Sequence, residues 1–114
     1  MKITRMHDNK TEYAILNGML PRYVVEMTMQ ALNGIYNDTW RLPKRSEIEL
    51  LFELAPELSD KVRQDFTASE IYWTGDVDRH NNPIVYDARK RSFKIEETLA
   101  STVMNSAVLV KDRN

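Results

Sequence analysis

Apolar positions along the chain change their period twice, and each change marks a boundary between elements. Short apolar patches around Ile3 and at Tyr13-Ala14-Ile15-Leu16 are separated by the polar stretch from His7 to Glu12 and followed by Asn17-Gly18. That order predicts short strands with a turn between them. After Pro21, a residue tolerated in a first helical turn, Val24, Met27, Ala31 and Ile35 recur at spacings of three and four. They predict an amphipathic helix over about 21–36 with these four side chains inward. Met29 falls off that stripe and is expected at the surface. Asn37-Asp38-Thr39 carries turn chemistry, and Trp40-Arg41-Leu42-Pro43 reads as extended because a residue before proline avoids helical angles.

A second helix is predicted just after Pro43, with Ile48, Leu51, Phe52 and Leu54 inward and Glu47, Glu49 and Glu53 at outer or terminal positions. It stops at Ala55-Pro56. Leu58, Val62 and Phe66 then repeat every four residues and predict a short third helix over about 56–66. Beyond Thr67-Ala68-Ser69-Glu70 the grammar becomes that of a hairpin. Ile71-Tyr72-Trp73-Thr74 and Ile84-Val85-Tyr86-Asp87 flank a polar loop from Gly75 to Pro83. Ala88-Arg89-Lys90-Arg91 reads as a second turn, Phe93 and Ile95 alternate with polar neighbours, and Ala107-Val108-Leu109-Val110 reads as a last strand. Helices followed by strands, with no repeat and no low-complexity linker, indicate one α+β domain over residues 1–114.

From about Met27 to Lys111 this order of signals, with Trp40-Arg41-Leu42-Pro43, Glu47 in the next helix, Tyr72-Trp73 and a terminal Val-Lys strand, resembles the Lcl C-terminal-like domain, a family of unknown function. That family is similar to C-type-lectin-like and sulfatase-modifying-factor folds. The resemblance implies a compact C-type-lectin-like domain with two to three helices packed on a twisted antiparallel sheet whose first and last strands pair. The chain departs from the family pattern at Lys44, where Thr is usual, and at Thr74-Gly75-Asp76 and Val110-Lys111-Asp112. A Thr would cap the second helix while Glu47 completed a capping box. Lys44 has no such hydroxyl, so either Ser46 caps a later start or the helix begins less firmly.

Composition narrows the function classes. Sixteen Lys and Arg against 17 Asp and Glu leave a net charge of −1, which argues against nucleic acid as a partner and equally against an acidic mimic of it. With no cysteine, neither a disulfide nor a thiolate nucleophile nor a cysteine-held zinc is available, and the cysteine chemistry of sulfatase-modifying enzymes does not transfer. No apolar stretch reaches signal-peptide or membrane-spanning character, so a cytoplasmic protein without a membrane partner is expected.

The candidate chemistry is sparse. Asp76, Asp78, His80, Asn81 and Asn82 fall within seven residues of the polar loop, and such groups can collect a cation, but the loop lacks the glycine and distal glutamate of an EF-hand. A protein-contact loop, with Arg79 beside these residues and Arg89, Lys90 and Arg91 as a neighbouring basic turn, is the preferred reading. His7 and His80 belong to no nucleophile, base and orienter set. Trp40, Tyr72 and Trp73 are read as core, although a lectin-like surface would stack a sugar on one of them. The expectation is a non-enzymatic binding or modulator protein, of bacterial or phage type and acting on a host protein, with no cofactor. The alternative is a carbohydrate- or surface-binding module of a phage or secreted assembly. Met29 or an edge strand could also pair two copies into a homodimer.

Overall fold

Among the described residues, the strand-forming patches assemble into one six-stranded sheet flanked by two helices. The structure is a computed structural model that describes residues 3–7, 11–54, 63–64, 71–96 and 103–112. In chain order the elements are β1 (Ile3–His7), β2 (Thr11–Pro21), α1 (Arg22–Tyr36), α2 (Arg45–Leu54), β3 (Ile71–Val77), β4 (Pro83–Asp87), β5 (Ser92–Ile95) and β6 (Met104–Asp112). Apart from residues 63 and 64, which are helical, the expected third helix over 56–66 lies outside the described residues. The radius of gyration of 13.4 Å matches the ~13 Å of a single domain this long.

Strand order is β1-β2-β6-β3-β4-β5. The sheet is mixed, not antiparallel throughout: β6 pairs antiparallel with β2, Tyr13 opposite Val110, but parallel with β3, Tyr72 opposite Ser106. An apolar run without alternation marks a strand covered on both faces and carries no information about the direction of its neighbours. The first strand does not pair with the last. β2 takes the place beside β6, because its Tyr13–Leu16 run is apolar on both faces, and β1 is left at the edge, paired with β2 alone.

The two faces are covered by different helices. Tyr13, Ile15, Tyr72, Tyr86, Val108 and Val110 pack with Ile48 and Leu51 of α2, and Phe52 joins them. Ala14, Leu16, Trp73, Val85, Ala107 and Leu109 pack with Val25 of α1, with Met29 and Leu32 against the same cluster. Double coverage explains why the central strands read as continuous apolar runs.

On α1 the expected stripe is out of phase. Met27 and Ile35 are 62% and 74% exposed, and Met29, expected outside, is half-buried against the core. Two stripes on this helix satisfy the same spacing, and polar clamps choose between them. The Asn33 amide donates to the Trp40 carbonyl at 3.0 Å and accepts from the Trp40 N–H at 2.7 Å. Arg22 Nη1 donates to the Thr74 carbonyl at 2.8 Å. With residues 22 and 33 facing the sheet, 25, 29 and 32 must face it too. The helix closes at Asn37, which takes the left-handed conformation (φ 55°) that asparagine tolerates.

Candidate functional site

The Trp40–Pro43 segment is a wedge between two diverging strands. Arg41 exchanges both backbone hydrogen bonds with Val110 of β6, at 2.9 and 2.7 Å, and the Pro43 carbonyl accepts from Gly75 of β3 at 2.8 Å. Trp40 and Leu42 point into the α1-side core. The approach is close enough to dictate residue 75: a Cβ there would lie 3.0 Å from the Leu42 carbonyl oxygen, a backbone atom that cannot swing aside.

From the wedge, Arg41 reaches the start of α2. Its guanidinium bonds both Glu47 carboxylate oxygens, at 2.6 and 2.8 Å, and Asp112 at 3.1 Å. Glu47 also accepts from the Lys44 N–H at 2.8 Å. Half of a capping box therefore survives without the Thr. The helix starts at Arg45, and its first N–H is taken by Asp76 of β3 at 3.0 Å, not by Ser46. Hydrogen bonds from Arg41 hold the Glu47 carboxyl below its ordinary range, with desolvation opposing them and the Lys44 N–H assisting.

Most of the polar hairpin loop is occupied with its own geometry. Asp78 Oδ1 accepts from the N–H groups of His80 and Asn82 at 2.8 and 2.9 Å, closing an Asx turn that holds the Asp78 carboxyl low. Asn81 supplies the left-handed residue (φ 64°). Arg79 and His80 are exposed and bond each other, Nε to Nε2, at 3.2 Å. Asp76 caps α2 and pairs with Arg45. Among the described residues no three His, Cys, Asp or Glu side chains converge.

Arg89 and Arg91 do not neighbour this loop. They lie in the β4–β5 turn, and the loop joins β3 to β4, so the full length of β4 separates them, about 15 Å. Arg91 instead borders a cleft with Glu49 and Glu53 of α2. Of the shared-motif aromatics, Trp40, Tyr72 and Trp73 are all buried, and the Trp73 indole N–H donates to the Leu20 carbonyl at 2.8 Å.

Two surfaces escaped the sequence reading. One is the outer face of α1, where Tyr23, Met27 and Ile35 stand exposed on a helix whose two charges, Arg22 and Glu26, pair at 3.3 Å. The signal was present: Tyr23, Met27, Ala31 and Ile35 stand four residues apart, but an apolar stripe is assigned to the core by default. The other is the α2 cleft, whose ring residues come from three separate elements and have no common sequence signature. A third hollow of ≈500 Å³ between α1 and the wedge is bordered by Met29, Trp40, Leu42, Arg22 and Lys44. Its Arg22 is committed to Thr74 and Glu26.

No helix among the described residues is long and apolar enough to cross a membrane. No protein-family model, curated protein or solved structure matches this chain.

Proposed function

We propose that this chain is a non-catalytic protein-binding module that presents the outer face of α1 to an apolar groove on another protein. The observation carrying this reading is the exposed apolar stripe of Tyr23, Met27 and Ile35 on a helix with a single ion pair. Grooves read a helix by such anchors on one face. A groove is favoured over a second copy by area. A helix of 15 residues is about 22 Å long, and two such convex faces bury well under the ~1,200 Å² at the low end of stable interfaces. A concave partner wraps the flanks as well. The burial of Trp40, Tyr72 and Trp73 counts against the carbohydrate-binding alternative, because none presents a ring face to stack on a sugar.

The test compares the wild type with Met27→Glu/Ile35→Glu and with Arg79→Ala/His80→Ala. Partners captured from a lysate of the source organism are purified and titrated back. The expected result is one protein that binds wild type and the loop variant at a 1:1 ratio and loses affinity at least 100-fold for the helix variant. A partner lost by the loop variant alone overturns the assignment to α1. Self-association in sedimentation equilibrium that the helix variant abolishes replaces the groove-bearing partner with a second copy.

A further inference from the structure

The cleft on the α2 face has a volume of ≈450 Å³ and is bordered by Glu49, Phe52 and Glu53 of α2, Tyr86 of β4, Phe93 of β5 and Arg91 of the turn between those strands. Its floor is aromatic. The Phe52 and Tyr86 ring centroids are 5.0 Å apart, and those of Tyr86 and Phe93 are 4.9 Å apart. Glu49 and Glu53 stand one helical turn apart on the same face of α2, where like charges destabilise a helix by a few tenths of a kcal/mol. Neither forms an ion pair or a hydrogen bond with any described residue.

Tyr86 adds an independent observation. It is 3% exposed, yet it borders the cleft, and its hydroxyl is not among the sealed, unpaired polar atoms, so the oxygen opens onto the cleft. Desolvation raises its pKa, with Arg91 opposing, so the group is a neutral phenol that can accept a hydrogen bond.

Rings, paired carboxylates and a phenol oxygen open to the cleft complement one kind of group. We propose that this cleft binds a primary alkylammonium, with its methylene stem against Phe52, Tyr86 and Phe93 and its charge at Glu49 and Glu53. The cation gains from the ring faces as well as from the carboxylates. An anion would meet two carboxylates, and a neutral alcohol would leave the net charge of −1 in the lining without a counter-charge. Arg91 limits the affinity, since its guanidinium reduces the charge of the lining to −1. The site is distinct from the α1 face and does not depend on it.

The experiment is a chemical-shift titration of the full chain at low salt with n-butylammonium, n-butanol and butyrate, and with an N-acetyl-lysine amide as the protein-borne form of the same group. Butylammonium is expected to bind in the millimolar range, within what so few atoms can supply, and to shift the Phe52, Tyr86 and Phe93 ring signals. Butanol should bind at least threefold more weakly, and butyrate should not bind. Glu49→Gln/Glu53→Gln should weaken butylammonium at least fivefold, Tyr86→Phe two- to fivefold, and Arg91→Gln should tighten it two- to threefold. An unchanged thermal midpoint in each variant separates loss of the site from loss of the fold. The lysine amide binding at least as well as butylammonium assigns the cleft to a lysine side chain of a protein; weaker binding assigns it to free amines. Equal affinity for butanol, no effect of the double glutamine variant, or weakening by Arg91→Gln overturns the proposal.

Discussion

The two helices are anchored in inverse proportion to their length. α2 has ten residues and seats Ile48 and Leu51 completely, with Phe52 among the rings of Tyr72 and Tyr86. Three side chains organise its start: Glu47 on the Lys44 N–H, Asp76 on the Arg45 N–H, and Arg41 on Glu47. α1 has fifteen residues, yet Val25 is its one fully buried side chain and no side chain caps its start. Two polar clamps, Arg22 and Asn33, fix its rotation. The difference separates two uses of an amphipathic helix. α2 spends its apolar side chains on the core, whereas α1 divides them between the core and solvent, which leaves it a second apolar face.

The contrast is broken most strongly by removing matched aliphatic groups. Leu51→Ala should lose about 2–5 kcal/mol, as large-to-small changes in a sealed core do. Ile35→Ala should stay within about 0.5 kcal/mol. Urea unfolding of the two variants checks this, and a comparable loss for both would refute the division of roles. Next in size is Asn33→Ala. It strips two hydrogen bonds from the Trp40 backbone and should cost about 2 kcal/mol, with a loss of Trp40 signal dispersion that Ile35→Ala does not show.

Glu47→Gln sharpens the other side of the comparison by loosening the start of α2. It should cost about 1–2 kcal/mol near neutral pH, less in high salt because the pair is partly exposed. The folded-state pKa of Glu47 is lowered. Its contribution is therefore fully present above the unfolded value of about 4.3 and lost as pH falls through the folded value. Denaturation curves of wild type and variant should lie apart above about pH 5 and converge in stronger acid. Curves that stay parallel through that range would show that Glu47 is not the group responsible.

Strand and helix positions were legible because each depends on local chemistry. The runs at Tyr13–Leu16, Ile71–Thr74 and Ala107–Val110, the break at Asn37, and Ile48, Leu51 and Phe52 on the inner side of α2 all stand where the sequence puts them, whereas β2 runs on through Asn17-Gly18 to Pro21. What escaped depends on contacts distant in sequence. The phase of α1 is set by Asn33 gripping Trp40 and Arg22 gripping Thr74, and neither pairing has a periodic signature. Strand order depends on which runs can be covered on both faces. The polar loop looked like a site because turn-forming residues and ligand-forming residues are the same types; Asp78 shows the turn use directly. By spacing alone Glu49 and Glu53 are outer positions of a helix, and the aromatic side of their cleft arrives in part from β4 and β5.

β6 also has a bearing on how the molecule is made. The β1–β2 hairpin and the β3–β4–β5 meander share no pairing except through β6, and β6 follows in the chain everything it joins. During synthesis the two half-sheets therefore emerge with their inner edges open, each apolar on both sides, and wait for Ala107–Val110. Such edges invite pairing with other chains, and closure over so long a separation in sequence is slow. A nascent chain stalled before Met104 would be a reservoir for aggregation, so the strand that completes the core is also the point at which the protein becomes safe to its surroundings.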